Sequence, residues 1–475
     1  MKTVNLRRPP TKGKTKTASK PKGRVVPRSS GAKTKGTVVP KPGGAKPKGT
    51  TVPTSAGGGT LPDSAIRIRM YRVGFGDCFL VSLPVGAAER RYILVDCGVH
   101  AQGDIGSIEQ VVADIVAVTG GKLAIVIATH AHQDHISGFD RFGDQFAKFE
   151  ISEVWLPWTW DPADPNAVKL QTKQAAVVEQ LAAHFAALAA VGSLATTTAA
   201  AANAITNLRG NAHAIALLNS GFGVGAKVRY LKAGDTLTDP AGLPGLSVRV
   251  LGPPQSELFL AQMNPPAGQQ YLGTEAGGPE HTTRVEPFGA RWRVSPGALP
   301  SLETRLLRAD EERLDHATSS PAEDLAFALD QARNNESVVT FITYRGQNLL
   351  FAGDAQYGNW RWWLDNEQPD QILPEVAFYK VAHHGSVNAT PKDALEKMAD
   401  GHFAAMVSTQ SIPWASIPRV PLMQRLSDKT KQKIMRSDWL PVKGAPGPSP
   451  NSAPTEPASP PSGFAQGTLW FDYVV

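Results

Sequence analysis

The sequence predicts an α/β (α+β) protein with a disordered basic tail, and three features of the chain lead to this fold class. Short apolar runs of strand length recur from residue 66 to residue 474, and several of them end in histidine or aspartate. An Ala-rich stretch over residues 165–218 favours helix. Residues 1–60 contain 15 Lys and Arg and no Asp or Glu, so the start of the chain differs in character from the rest.

The tail, residues 1–60, is rich in Pro, Gly, Thr and Lys and almost free of large apolar side chains, so it cannot bury enough surface to fold. Similar basic segments recur every 13 residues, at 22–27, 35–40 and 48–53, which is low-complexity sequence and no packed repeat. The whole chain carries +7, so residues 61–475 carry 7 − 15 = −8. Such an arm is expected to attract nucleic acid or another polyanion, including an anionic membrane surface, although it has no aromatic residue for base stacking. A merely solubilising extension explains the composition equally well.

Residues 61–475 are expected to form one catalytic domain with insertions at about 165–220, 255–333 and 444–462. The first insertion is Ala-rich and helical. The second is irregular up to a helix at 322–332 and could cover a functional site, and the third is a Pro/Ser-rich surface loop. The predicted strands are 66–70, 78–83, 92–95, 123–128, 151–156, 228–231, 246–251, 338–344, 348–351, 376–381, 403–408 and 468–474.

The most informative motif follows the strand predicted at 123–128, where residues 130–135 read His-Ala-His-Gln-Asp-His. Neutral imidazoles and carboxylates are ligands that zinc and similar ions prefer. His130 and His132 lie two apart, so in an extended segment both face one side and can bind one ion. Asp134 and His135 follow where the chain turns, and they can face a second ion. Gly138 is expected to give the backbone the freedom to begin a helix there.

Other predicted strands also end in potential ligands. Asp96 follows 92–95, Asp354 follows 348–351 and a glycine, and His383 and His384 follow 376–381. Each of these alone is weak, because acid–glycine pairs are ordinary turn sequences. Together with residues 130–135 they predict a metal centre for two ions.

This ordered set of strand ends resembles the metallo-β-lactamase superfamily. Three further segments, 73–78, 334–339 and 383–386, resemble the hydrolase-like domain of ComEC-type DNA-uptake proteins and their free-standing relatives, and bacterial phosphorylcholine esterases are similar here too. The resemblance covers roughly residues 65–475. It implies a four-layer αββα sandwich with the metals at one edge of two facing sheets, and it is far less specific for substrate.

The resemblance also implies roles for individual residues. His130 and His132 would bind the first metal, and the second metal would take Asp134, His135 and His384. Asp354 would bridge both ions. Asp96 would orient the histidine loop, and His383 could donate to a substrate oxyanion. The substrate vicinity would include Asn335, Ser337, Ser386 and Trp158. For Trp158, core packing or a contact with an insertion is the preferred interpretation, and a wall of the substrate pocket is the alternative.

The chain departs from the family pattern in two places. Many members supply a third histidine to the first metal, and the candidates here, His184, His213, His281 and His316, do not end a predicted strand. The first metal would then be under-coordinated, or Asn335 or water would complete its site. Relatives also often carry a late His-Pro pair, where this chain has Ile417-Pro418.

The predicted function is metal-assisted hydrolysis by two divalent cations, zinc in the first place and manganese as the alternative. A bound divalent ion lowers the pKa of water from about 15.7 to about 7, so a metal-bound hydroxide can attack a phosphodiester, as in nucleases and phosphodiesterases. Two alternatives stay open. One is a hydrolase of a small carboxylic ester, lactone or thioester, and the other is a non-catalytic scaffold with a vestigial site.

Two further expectations concern the environment of the protein. Cys78 and Cys97 fall in strand-like runs and are expected to be reduced core thiols. No run approaches the ~18 apolar residues of a membrane span, and no signal-peptide pattern is recognisable. A cytoplasmic protein without a channel of its own is therefore expected.

Overall fold

A computed structural model of the chain describes residues 64–86, 89–103, 106–190, 196–271, 321–410, 414, 417–440 and 454–475. The basic tail at 1–60 and residues 272–320 of the second insertion lie outside the described residues, as do 444–453 of the third. His281 and His316 are among these.

The described strands, numbered in chain order, are β1 (Arg67–Tyr71), β2 (Gly74–Phe75), β3 (Cys78–Pro84), β4 (Arg90–Cys97), β5 (Ala101–Gln102), β6 (Lys122–Ile127), β7 (Glu150–Pro157), β8 (Lys227–Leu231), β9 (Thr236–Thr238), β10 (Leu246–Gly252), β11 (Val339–Tyr344), β12 (Gln347–Phe351), β13 (Phe378–Lys380), β14 (Ala404–Val407), β15 (Ile434–Arg436), β16 (Phe464–Gln466) and β17 (Trp470–Val474).

The described α-helices are α1 (Ile108–Thr119), α2 (Gln133–Arg141), α3 (Gly143–Phe146), α4 (Pro165–Ala190), α5 (Thr196–Gly210), α6 (Ala212–Asn219), α7 (Glu257–Leu260), α8 (Pro321–Asn334), α9 (Tyr357–Asn366), α10 (Pro369–Ile372), α11 (Lys392–Lys397) and α12 (Val420–Thr430).

Two large sheets organise these elements. The first has the spatial order β16-β17-β1-β3-β4-β6-β7-β8, in which β4, β6, β7 and β8 run parallel. The second has the order β15-β14-β13-β12-β11-β10-β9, in which β12 to β15 run parallel. Parallel strands end at the same edge, so residues that follow β4 and β6, or β12 and β13, meet in space.

The main apolar core contains buried side chains from both sheets, for example Ile93 and Ile127 from the first and Ile342 and Phe351 from the second. A second cluster contains residues of the first sheet together with residues of α1, α2 and α6. Contacts of α9 with β10 and of α12 with β14 and β15 supply a helical layer for the second sheet. The predicted four-layer αββα sandwich is therefore confirmed.

The predicted strands all recur with shifts of a few residues at their ends, but several elements lie outside the prediction. Strands β2, β5, β9, β15 and β16 have two or three residues each, which is too short to give an apolar alternation. Helix α1 is also additional, and a capping box between Ser107 and Gln110 marks its start.

Gly138 has a different role from the one expected. Helix α2 begins at Gln133, and Gly138 lies inside it. A Cβ at this position would lie 2.6 Å from both the carbonyl oxygen and the Sγ of Cys97. The glycine therefore allows α2 to pack closely on the end of β4, and helix initiation does not depend on it.

The helical character of the first insertion is confirmed over α4 to α6. Val178 and Phe185 of α4 form a buried cluster with Ile205 of α5 and Ala326 of α8. Helix α8, which ends the second insertion, is thus fixed against the first insertion.

Cys78 and Cys97 are buried and form no disulfide. Among the described residues, the chain offers no helix with the length and apolar character needed to cross a bilayer.

Candidate metal centre

The loops that follow four strands of the two sheets converge on one cluster of histidine and aspartate. From the first sheet come Asp96 at the end of β4 and the segment 130–135 after β6. From the second sheet come Asp354 after β12 and His384 after β13. The side chains of Asp96, His130, Asp134, His135, Asp354 and His384 are buried, and that of His132 is partly exposed. The cluster therefore depends on both sheets.

The backbone at these strand ends adopts conformations that ordinary residues avoid. Asp96 has φ 56°, and His383 and His384 have φ 43° and 51°. Left-handed backbone at a non-glycine residue costs about 1 kcal/mol or more and is concentrated at functional sites. Gly353 has φ 52°, and a Cβ there would lie 2.9 Å from the Cβ of Thr129, so the close approach of the two loops requires glycine.

The inner atoms of the cluster lie at nearly equal separations. Asp354 Oδ2 lies 3.1 Å from His135 Nε2 and 3.2 Å from His384 Nε2. His384 Nε2 also lies 3.2 Å from Asp134 Oδ2. These four residues offer ligand atoms that could surround one ion. Two ligand atoms about 2.0–2.1 Å from a tetrahedral zinc ion are about 3.3 Å apart, so the observed separations fit a cation.

Hydrogen bonds on the far side of each imidazole determine which nitrogen faces the cluster. His135 Nδ1 bonds Asp96 Oδ2 at 2.7 Å, and His384 Nδ1 bonds the carbonyl of Ser408 at 2.8 Å. An imidazole that donates from Nδ1 has its lone pair on Nε2 when neutral. His135 Nε2 is buried without a hydrogen-bond partner. Lone pairs of two imidazoles and two carboxylates thus face one another, and only a positive charge placed among them makes this arrangement stable.

The pKa shifts of these groups have the same electrostatic cause, the close approach of histidines and carboxylates. Burial opposes a charge on His384, but Asp354 and Asp134 outweigh it and raise the pKa of His384 to about 10. Burial likewise opposes a charge on His135, and Asp354 and Asp96 raise its pKa. The histidines in turn hold the pKa values of Asp134 and Asp354 below the usual range, against the effect of burial. The cluster stabilises positive charge, whether as protons or as a cation.

His130 and His132 form a second pair of facing nitrogens. His130 Nε2 lies 3.1 Å from His132 Nδ1. On its far side His130 Nδ1 contacts Thr129 Oγ1 at 3.1 Å, and His132 Nε2 faces Asp330 Oδ1 of α8 at 3.4 Å. His132 Nε2 makes no hydrogen bond, so its contact with Asp330 is an ion-pair approach only. When protons occupy the outer nitrogens, the two inner lone pairs face each other and could together hold a second cation.

Asp96 connects the two histidine positions. Its carboxylate accepts hydrogen bonds from the backbone N–H of Thr129 at 2.8 Å and from the Thr129 hydroxyl at 2.8 Å, besides His135. Burial raises the pKa of Asp96, although the interactions with His135 counteract it. The carboxylate therefore fixes the loop that contains His130 and the orientation of the His135 ring.

His383 lies beside the cluster with its own polar partners. Its Nδ1 lies 2.8 Å from Ser386 Oγ and 3.0 Å from Asn388 Oδ1, while Nε2 lies 3.4 Å from Asn334 Nδ2. The hydroxyl of Ser386 donates to Asn388 at 2.7 Å, so His383 Nδ1 is the donor to that pair and its Nε2 bears the lone pair. Burial lowers the pKa of His383, which keeps the ring neutral. The ring is therefore an acceptor at Nε2, in contrast to the oxyanion donor that was expected.

Three of the residues expected in the substrate vicinity have structural contacts instead. Asn335 donates from Nδ2 to the carbonyls of Leu260 and Gln262, and its Oδ1 accepts from the backbone of Gln356 and Asn359. Both ends of the amide are committed, so Asn335 is not available to complete a metal site. Trp158 is buried in a small apolar cluster with Ala167 and Leu260, and packing is the correct interpretation. Ser337 accepts from the backbone N–H of Asp354 at 3.0 Å and holds that loop in place.

The described candidates for a third histidine ligand lie elsewhere. His184 belongs to α4, with its ring against Phe185. His213 is exposed and bonds Asp140 at the outer side of α2.

Two charged residues of the cluster were not predicted. Lys380 of β13 is buried and forms ion pairs with Asp77 and with Asp354 Oδ1, the latter at 3.3 Å. Asp77 also lies 3.7 Å from the Nδ1 atoms of both His135 and His384. Lys380 could have been identified from the sequence, because a lysine inside the apolar run 376–382, four residues before His384, is unusual.

The family comparison agrees with this arrangement. The model of the metallo-beta-lactamase superfamily matches residues 71–185, which contain Asp96 and the whole segment 130–135. No curated protein matches the chain. The matched region carries Asp96 and the candidate ligands of segment 130–135, and Asp354 and His384 come from beyond it.

Proposed function

We propose that this protein with a metallo-β-lactamase superfamily domain is a hydrolase that uses two divalent cations to cleave a phosphodiester. The observation that carries the proposal is the convergence of lone pairs in the buried cluster, where His135 Nε2 has no hydrogen-bond partner and lies 3.1 Å from a carboxylate oxygen. His130 and His132 would hold the first cation. Asp134, His135 and His384 would hold the second, with Asp354 between them. When bound, such ions lower the pKa of water to about 7 and stabilise negative charge on a substrate oxygen.

The remaining residues orient this centre and move protons. Asp96 and the Ser408 carbonyl keep His135 and His384 in the tautomer that presents Nε2 inward. His383, neutral and unprotonated at Nε2, would accept a proton released by the attacking water and return it to the leaving oxygen. Ser386 would hold the His383 ring in that orientation.

We favour a phosphodiester over a carboxylic ester as the substrate class. The support is the resemblance of segments 73–78, 334–339 and 383–386 to the hydrolase-like domain of ComEC-type proteins. Zinc is the proposed metal, because four of the six proposed ligands are imidazoles, with manganese as the alternative.

Metal-depleted full-length protein, reloaded with Zn²⁺ or Mn²⁺, should hydrolyse bis(4-nitrophenyl) phosphate and single-stranded DNA or RNA. We expect Asp134→Ala and His384→Ala to reduce turnover at least about a hundredfold, since each removes a ligand, while circular dichroism stays unchanged. His213→Ala is the matched control, because that imidazole also contacts a carboxylate but lies outside the cluster.

The substrate panel should include a lactone and a thioester beside the phosphodiesters. Faster turnover of either would replace the proposed substrate and keep the metal centre. Full activity in His384→Ala would remove the assignment of the site, and fewer than one ion per chain in the reloaded protein would favour a vestigial centre.

A further inference from the structure

Lys380 is a buried cation inside a cluster that is proposed to bind cations. Its side chain is 2% exposed, and its ammonium group donates to the carbonyl of Gly353 at 2.8 Å. The same group pairs with Asp77 and with Asp354 Oδ1. Burying an ammonium group costs free energy unless its partners are well placed. All three partners of Lys380 lie at the metal cluster, so the lysine is part of that site.

The two carboxylate oxygens of Asp354 have different surroundings. Oδ1 lies 3.3 Å from Lys380 Nζ, whereas Oδ2 lies 3.1 Å from His135 Nε2 and 3.2 Å from His384 Nε2. A free carboxylate can use both oxygens toward cations. Because Lys380 occupies Oδ1, only Oδ2 is directed at the atoms that would hold the ions.

Charge balance gives Lys380 a second effect. The cluster contains four buried carboxylates, Asp77, Asp96, Asp134 and Asp354, beside this one lysine. With neutral imidazoles the sum is −4 + 1 = −3, which two divalent ions convert to +1. Apart from Lys380, no described residue donates a hydrogen bond to either oxygen of Asp77, so the ion pair with Lys380 is the principal compensation for the charge of Asp77.

We propose that Lys380 is a positioning residue of the metal centre. It restricts Asp354 to ligation through Oδ2 and, together with Asp77, determines the net charge of the site at which the cations bind. The inference rests on the proposed metal centre. It assigns no metal contact to Lys380 or Asp77.

The test compares Zn²⁺ affinity and the visible spectrum of the Co²⁺-loaded full-length protein in two variants. In Lys380→Met the cluster gains one net negative charge and Asp354 Oδ1 becomes free. We therefore expect Zn²⁺ to bind about tenfold or more tightly in competition with a chromophoric chelator. The Co²⁺ d–d bands should weaken, because a second carboxylate oxygen raises the coordination number.

The double variant Asp77→Asn with Lys380→Met separates the two effects. It removes one positive and one negative charge, so Zn²⁺ affinity should return to within about threefold of the unmodified protein. The Co²⁺ bands should stay weak, because Asp354 Oδ1 is still free. This variant leaves neither charge buried without its partner, and it tests the proposal even if Lys380→Met does not fold.

Lys429→Met is the matched control. Lys429 is also buried and pairs with Asp400, on α12 and outside the cluster, so its removal should change neither the affinity nor the spectrum.

Different results would contradict the proposed metal centre and the proposed role of Lys380. An unmodified protein that binds no Zn²⁺ or Co²⁺ would overturn the metal centre and this inference with it. If the unmodified protein binds metal but Lys380→Met binds Zn²⁺ more weakly, or if the double variant keeps the unmodified Co²⁺ spectrum, only the role of Lys380 is overturned.

Discussion

At the scale of single residues, the centre depends on groups that contact the histidines from outside. Asp96, Thr129 and the Ser408 carbonyl each occupy an outer imidazole nitrogen and thereby direct the other nitrogen inward. Asp330 approaches the outer nitrogen of His132 at 3.4 Å as an ion-pair partner without a hydrogen bond, and it comes from helix α8 in the second insertion. Such outer partners typically change metal affinity by 10–100-fold when they are removed.

We expect Asp330→Ala to weaken one of the two cation sites by about tenfold or more and to leave the other unchanged, because only His132 loses its orienting carboxylate. Titration of metal-depleted protein with Zn²⁺ should then show one tight ion and one weak ion in place of two tight ions. Asp140→Ala is the control, since Asp140 contacts the exposed His213 in a comparable pair. Two equally tight ions in Asp330→Ala would show that α8 does not support the centre.

The candidate ligands were identifiable from sequence because each follows an apolar run, and segment 130–135 is local. The surroundings of a side chain, in contrast, depend on residues that are far apart in the sequence. Asn335 and Trp158 were expected near the substrate, but the amide of Asn335 holds three backbone segments together and Trp158 packs against the first insertion. Asp330 is separated from His132 by 198 positions, so no spacing rule could have connected them.

At the scale of elements, every described strand of four or more residues was predicted, whereas of the strands with two or three residues only β13 was. The pairing of strands also depends on polar contacts between side chains, which the alternation of apolar residues along a strand does not predict. Glu153 of β7 accepts hydrogen bonds from Arg229 of β8 at 2.6 and 2.9 Å and from the indole of Trp155 at 2.8 Å. This buried carboxylate connects the last two strands of the first sheet.

The Glu153 contact predicts a pH-dependent stability. Burial raises the pKa of Glu153, but hydrogen bonds from Arg229 and Trp155 outweigh this and hold the pKa below its ordinary value of 4.5. A carboxyl with a depressed folded-state pKa stabilises the fold above its unfolded pKa, and the contribution is lost as pH falls through the folded value. We therefore expect Glu153→Gln to destabilise the protein by about 1–2 kcal/mol at pH 7 and by progressively less below pH ~4.5.

Urea denaturation between pH 3.5 and pH 7 measures this difference. Glu150→Gln provides the comparison, because Glu150 lies on the same strand and pairs with Lys122 while both side chains are more than half exposed. An exposed pair contributes little, so that variant should differ from the unmodified protein by less than about 0.5 kcal/mol. A Glu153→Gln effect that is constant with pH would exclude the ion pair as its cause.

At the scale of the whole molecule, the two sheets share one centre. The first sheet supplies Asp96 and residues 130–135, and the second supplies Asp354, His383 and His384. Arg72, after β1, adds a further connection because its guanidinium donates to the carbonyls of Ser437 and Trp439 beyond β15. Cation binding is therefore expected to stabilise the sandwich as a unit, by about 2.7 kcal/mol at a metal concentration 100 times Kd.

The charge of the chain is divided between two segments of opposite sign. Residues 1–60 carry +15 from Lys and Arg, and the remainder carries −8. Any attraction of this chain to nucleic acid should therefore come from the tail, through release of counterions, with an affinity that falls steeply as salt increases.

We expect the chain lacking residues 1–60 to bind single-stranded DNA at least about a hundredfold more weakly than the full chain at 50 mM salt, and to show a much smaller dependence of affinity on salt. Turnover of bis(4-nitrophenyl) phosphate should stay within about twofold, because the proposed ligands all lie between residues 130 and 384. Fluorescence anisotropy over a salt series measures the first quantity and absorbance the second. A full-length chain whose residues 1–60 are shuffled keeps the charge and loses the 13-residue repeat, so it should bind as the natural order does. Equal DNA affinity with and without the tail would mean that the contact lies on the acidic domain, which simple electrostatics does not explain.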